Sequence, residues 1–243
     1  MAIRQKTPEQ IAAIEDAQRA TEAAMAAVVS YLRSAENPTS EEAHAIIDNV
    51  LSEHDCESPD GHIVASGVQA AEPHERGHGP IQKNVPIVID IFPRSKKSGY
   101  FADMSRTVCI GTPPSEAQKM YDAVLGAQEL AISMVRPGLA CRAIQEAVEQ
   151  FFIDAGFVTS GEGKEFAYAE GFVHSIGHGV GLQIHEPPRF GKKSEDVLLP
   201  GEVVTVEPGL YYKDIGGVRI EDMVLVTEDG CRNLTNFGKK FVL

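Results

Sequence analysis

The segment Val85-Pro86-Ile87-Val88-Ile89-Asp90-Ile91-Phe92 restricts the fold of this chain more than any other. A run apolar at successive positions fits a strand buried on both faces. A carboxylate inside such a strand is costly unless it is ion-paired or bound to a cation. Asp103 repeats the problem in Tyr100-Phe101-Ala102-Asp103-Met104. Between the two runs lies Pro93–Gly99, a polar turn of the kind that joins antiparallel strands. Two acids on neighbouring strands repel unless positive charge lies between them. A divalent metal resolves that conflict, and oxygen ligands suit Mn²⁺, Co²⁺ or Zn²⁺.

The second half of the chain repeats the pattern. Glu207 follows the apolar Val203-Val204-Thr205-Val206, and Glu221 lies in Val218-Arg219-Ile220-Glu221-Asp222-Met223-Val224. His178 adds a nitrogen, flanked by Gly177 and Gly179, which permit close backbone approach. Asp222 neighbours Glu221 and is expected on the opposite face of its strand. Any single buried acid here is explained by pairing with Arg106 or Arg219. Four carboxylates and an imidazole together exceed what one structural zinc takes and suit two metals.

Composition narrows the functional classes. The formal charge of −13 argues against nucleic acid, whose phosphates attract basic faces. Met1–Gln10 lacks the apolar core of a signal peptide, and no run approaches the ~18–20 apolar residues of a membrane span, so a cytoplasmic protein is expected. Cys56, Cys109, Cys141 and Cys231 form no paired Cys-x-x-Cys motif and are expected as reduced thiols. Gly161-Glu162-Gly163-Lys164 has spaced glycines without the phosphate-loop pattern. His44 and His62 are expected to be surface or packed histidines, and His54, beside Asp55 at a predicted helix end where a cation favours the dipole, takes no catalytic role.

Local patterning indicates α+β architecture. Thr7 followed by Pro8 reads as a capped helix start, and the 3.6-residue apolar period continues to Leu32. A second helix is expected from Ser40 to about Glu53, then strands at His62–Ser66, Val85–Phe92 and Tyr100–Ile110. The order repeats: helices to about Val135 and Ala155, then strands at Val203–Val206, Gly209–Tyr212 and Val218–Thr227. No stretch reads as a linker, so one domain, 1–243, with two pseudo-symmetric halves is expected.

These residues resemble the pita-bread metallopeptidases: methionine aminopeptidase, prolidase and aminopeptidase P. The match runs from the first helix to Gly217-Val218-Arg219-Ile220-Glu221-Asp222. The resemblance implies that Asp90, Asp103, His178, Glu207 and Glu221 hold two divalent metals with a bridging water or hydroxide. It implies that Glu207 also shuttles a proton. His185, in His185-Glu186-Pro187-Pro188, is similar to a family histidine that contacts the substrate carbonyl or oxyanion. His74 is similar to another substrate-side histidine, with His78 as the competing choice.

His174, Glu207-Pro208-Gly209-Leu210-Tyr211 and Arg219 resemble the proline-specific branch, Arg219 standing behind the metal ligands. That branch usually carries an N-terminal domain, whereas the resemblance here begins at the catalytic domain. The implied activity is hydrolysis of the N-terminal bond of short peptides, Xaa-Pro in particular, by an enzyme often dimeric. The alternatives are a methionine aminopeptidase, a non-catalytic binding protein, and an amidohydrolase of non-peptide substrates on the same fold.

Overall fold

Helix α1, Pro8–Ser34, begins in a reciprocal cap: Gln10 N–H donates to Thr7 Oγ1 and Thr7 N–H to Gln10 Oε1. Such a cap contributes about 1 kcal/mol. The structure is a computed structural model that describes residues 4–159 and 170–243. The Gly161–Lys164 segment lies outside the described residues. After α2, Ser40–Glu53, come strands β1, Cys56–Glu57; β2, His62–Ser66; β3, Ile87–Ile91; β4, Arg94–Ser95; and β5, Met104–Val108. A second helix pair, α3 (Ser115–Met134) and α4 (Cys141–Asp154), precedes β6, His178–Gly179, and β7, Glu186–Arg189. Then follow β8, Val203–Val206; β9, Gly209–Tyr212; β10, Gly216–Arg219; β11, Asp222–Val226; and β12, Cys231–Asn233.

Each helix pair covers an antiparallel sheet. In the first half the order is β2-β3-β5, with Asp90 opposite Ile63 on one side and Ser105 on the other. Strand alternation explains how a carboxylate lives in the central strand. Ile87, Ile89 and Ile91 turn toward Met25, Val28, Ile47 and Leu51 of α1 and α2. Val88 packs with Ile63 and Ala65 in a separate cluster, and Asp90 shares its parity. In the second half α3 and α4 cover β8–β11, where Val124, Ile144 and Phe152 pack with Val204, Val206 and Val224. The order there is β12-β11-β8-β6-β7, with β9 and β10 forming a separate pair.

Two strand expectations need correction. The Val218–Thr227 run is broken: β10 pairs with β9 and β11 with β8, so the chain changes sheet at Ile220-Glu221. Glu221 sits at that seam, and its N–H bonds Ser105 O of the first half, 3.0 Å. Asp103 likewise stands just before β5 rather than inside a strand or opposite Asp90. Phe101 N–H goes to Gly181 O and Ala102 N–H to Pro93 O, so the ladder with β3 starts only at Met104. The strands β1, β4, β6, β7 and β12 are short and pass beneath any periodicity. All four cysteines are free thiols. No helix among the described residues is long and apolar enough to cross a membrane.

His62 is a packed histidine, its ring centroid 4.8 Å from that of His44 and its Nδ1 buried without a hydrogen-bond partner. Burial, then the charge of His44, lowers its pKa to about 4 from the ordinary 6.5. The unfolded chain therefore binds this proton at higher pH than the folded one. The contribution is intact above 6.5 and is lost as pH falls from there toward 4, amounting to about 3 kcal/mol. In thermal unfolding of the metal-free protein, His62→Gln is expected to flatten the decline across that window. Parallel profiles for both proteins would reject this assignment.

Candidate metal centre

The seam between the halves gathers the acids. Asp90 comes from β3, Asp103 from the approach to β5, His178 from β6, Glu207 from the end of β8 and Glu221 from the β10–β11 crossing. All five line one cavity of about 910 Å³. Asp103, His178 and Glu221 each offer a ligand atom within 4.8 Å of the others. His178 Nε2 lies 3.2 Å from Glu207 Oε1 and 3.6 Å from Asp103 Oδ2.

Local sequence explains the placement of His178. A Cβ on Gly177 would stand 2.1 Å from Thr205 O, and one on Gly179 2.3 Å from Pro187 O. The strand carrying His178 thus fits between β7 and β8 only with glycine on both sides. Thr205, on the same face of β8 as Glu207, ties the two together. Its Oγ1 accepts from His178 N–H, 3.0 Å, and donates to Glu207 Oε1, 2.9 Å. Ser105 plays the matching part in the first half, donating to Glu221 Oε2 and accepting from Arg219 Nε–H, both 2.9 Å.

The electrostatics call for a cation. Burial, then the charges of Glu221, Asp90 and Glu207, holds the Asp103 carboxyl well above the ordinary range. Burial, then Glu207 and Asp90, does the same to Glu221. Burial also raises Asp90 against the opposing pull of Arg219. For Glu207, burial is outweighed by its hydrogen bond to His178 and by the charges of His178, His174 and Arg219, and its pKa lies at about 2.

Among the described residues of the site, one carboxylate oxygen is left without a protein partner. Asp90 Oδ1 is buried without a hydrogen-bond partner. His178 Nδ1 is 3.1 Å from Gly179 O, which orients the ring so that Nε2 faces the carboxylates of Glu207 and Asp103. Carboxylates crowded together in a buried site repel one another unless a cation or protons lie between them. The donor set, oxygens with one imidazole nitrogen, fits divalent Mn, Co or Zn.

Behind the acids, Arg219 Nη2 pairs with Asp90 Oδ2 at 2.7 Å and Nη1 donates to Tyr211 Oη at 2.8 Å. Tyr211 Oη in turn lies 3.0 Å from His174 Nε2. Burial pushes the Tyr211 hydroxyl up to about 12 and lowers His174. Arg106 is spent elsewhere: it pairs with Asp222 at 2.8 Å and donates to Glu221 O, fixing that backbone from behind. Asp222 therefore faces away from the cavity, as strand alternation requires.

His74, His174 and His185 line the cavity; His78 is not among its lining residues and lies against Gln69. His185 is open to the cleft, its ring centroid 4.2 Å from that of His178. Crowding by protein atoms, then the charge of His178, lowers its pKa to about 4. The lining also includes Arg76, Arg189, Phe92 and Phe190, which pattern reading did not single out. Arg189 lies four residues beyond His185 in the same motif, a spacing that could have flagged it.

Known proteins resemble this chain in sequence and fold. Residues 12–228 match the profile of metallopeptidase family M24. The chain is 34% identical over 239 residues to an Xaa-Pro dipeptidase of Pyrococcus furiosus, covering 98% of this chain and 64% of that protein. It superposes on an Xaa-Pro dipeptidase from Bacillus anthracis with TM-score 0.88 at 32% identity, covering 99% of this chain and 64% of that one. An X-Pro aminopeptidase from Thermotoga maritima gives TM-score 0.85 at 30% identity, with 99% and 65% covered. The chain thus spans slightly less than two thirds of the length of these relatives. Its fold, helix pairs over antiparallel sheets, matches their pita-bread domains. With a profile match over most of its length and relatives above 30% identity at nearly full coverage, the chain belongs to metallopeptidase family M24.

Proposed function

We propose that this chain is a dinuclear-metal exopeptidase that hydrolyses the N-terminal bond of short peptides before proline. The observation that carries the reading is the convergence of Asp90, Asp103, His178, Glu207 and Glu221 on one cavity, with more buried negative charge than Arg219 neutralises. Those five residues would hold the two cations. When bound, the metals make water acidic enough to attack near neutral pH and polarise the scissile carbonyl. Both halves supply the cleft, so residues 1–243 act as a single catalytic domain.

The chain's own groups have separable tasks. Glu207 is ionised across the neutral range, so its carboxylate can take a proton from the attacking water and return it to the departing nitrogen. His185, held neutral, and His74 donate hydrogen bonds to the carbonyl oxygen as it becomes negative. His174, fixed by Tyr211, presents its ring to the same cavity. Ile63, Phe92 and Phe190 offer apolar walls suited to a proline ring. Arg76 and Arg189 add positive charge suited to the terminal carboxylate of a dipeptide.

The test is hydrolysis by protein reconstituted with Mn²⁺, Co²⁺ or Zn²⁺. Xaa-Pro dipeptides, Xaa-Pro-Xaa tripeptides and Met-Ala peptides are the substrates. Cleavage before proline, dipeptides favoured, is the expected result. Cleavage of Met-Ala peptides alone overturns the proline preference. No cleavage despite two bound metals overturns the peptidase reading.

A further inference from the structure

The turn that carries His185 is held from inside by a carboxylate. His185 stands between β6 and β7, and the next residue, Glu186, opens β7 opposite Gly179, beside a register shift. The Glu186 side chain is 1% exposed and folds back against Gly181, where a Cβ would stand 2.4 Å from Oε1 and 2.6 Å from Oε2. The carboxylate thus fills the interior of the 181–186 turn, at the one position lacking a side chain to exclude it. A buried carboxylate there needs a counter-charge.

That charge comes from the other end of the sequence. Lys6 Nζ, with its side chain 0% exposed, lies 2.7 Å from Glu186 Oε1. Lys6 belongs to a short strap ahead of α1 that runs along the second half. Lys6 N–H bonds Gly201 O at 2.8 Å, and Gln5 Nε2 bonds Pro200 O at 3.0 Å. Arg4 pairs with Asp196 at 2.8 Å and with Glu202 at 2.5 Å. Asp196 in turn accepts the N–H of Arg189 at 2.8 Å, so the strap grips both ends of β7. Glu186 Oε2 has no hydrogen-bond partner, which leaves Lys6 as the group that orients this carboxylate among the described residues.

We propose that Lys6 is a positioning residue: through its buried ion pair with Glu186 it sets the turn that aims His185 into the cleft. Lys6 touches neither the cavity nor the candidate ligands. The inference rests on the proposed role of His185, and the experiment separates the two. Lys6→Met, Lys6→Arg and the double variant Lys6→Met/Glu186→Leu are compared with the unaltered chain in two ways. The first is the kcat against KM split on an Xaa-Pro dipeptide, with metal content measured. The second is the imidazole NMR spectrum of the metal-free protein, with the His185 signal assigned by its loss in His185→Gln.

Lys6→Met is expected to lower kcat about 10–100-fold, the usual effect of losing an outer support of a site, with KM and metal content retained. The His185 signal moves while those of His44 and His62 stay. Lys6→Arg restores most of the rate. The double variant buries no charge and is expected to fold even where Lys6→Met does not; its kcat stays low. A wild-type kcat in the double variant, or an unmoved His185 signal in Lys6→Met, overturns the proposal. If no variant and no parent cleaves peptides, a moved His185 signal still supports the positioning role, and the failure belongs to the peptidase reading.

Discussion

Replacing Asp103 by Asn is expected to do two opposite things: abolish tight metal binding and raise the thermal stability of the metal-free protein. Asp103 is 5% exposed and is crowded by Glu221, Asp90 and Glu207, which together with burial lift its pKa well above the carboxylate range. A carboxyl whose folded pKa is raised favours folding below its unfolded value, near 4. That favourable contribution is lost as pH rises through the folded pKa. At neutral pH the metal-free site is therefore destabilised by this residue. An amide cannot ionise, and its N–H₂ can donate to Glu221, so the metal-free variant is expected to unfold at a higher temperature than the wild type at neutral pH.

Metal reverses the order. A cation that binds only the folded state stabilises it by about 2.7 kcal/mol at a hundredfold excess over Kd. The wild type gains this and the variant, missing an anionic ligand, does not. Thermal unfolding in chelator and in Mn²⁺, beside direct metal analysis, tests both halves. Two metals bound with full activity in Asp103→Asn would remove Asp103 from the site. A metal-free variant less stable than wild type would show that the acids are not in conflict.

Replacing His185 by Ala is expected to lower kcat about 10²–10³-fold, the range seen when one oxyanion donor is removed. His185 is neutral above about pH 4, so it donates a hydrogen bond as imidazole and contributes no limb to the pH profile near neutrality. It faces the cleft beside His178 without contacting a carboxylate in the described hydrogen bonds, so metal content is expected to stay. An unchanged kcat would dismiss the role. A rate lost together with the metal would show that His185 supports the ligands instead.

The periodicities that locate α1 and α2 come from side chains within one or two turns, and the helix ends follow from Thr7-Pro8 and Thr39 acting locally. β2 was legible to the residue because its five positions are all apolar or buried and bounded by turns. β6 and β7 were not, because Gly179 and the prolines at 187 and 188 carry no strand signal; tertiary pairing with β8 makes them strands. The burial of Asp90 was legible from its apolar neighbours. Its partner was open, since Arg106 and Arg219 stand equally well in sequence. Packing sent Arg219 to Asp90 and Arg106 to Asp222.

By itself, then, the sequence determined helices α1 to α4, the longer strands with their buried faces, and the candidate acids and imidazoles. These depend on periods of two and 3.6 residues and on caps a few residues long. Only the tertiary structure decided that Glu221 sits at a sheet crossing, that His74 and not His78 lines the cavity, and that Lys6 reaches Glu186 across 180 positions. Such distances are set by how two helix pairs close on two sheets. No local pattern carries them, because the position of each residue in space sums over every turn and packing angle between it and its partner.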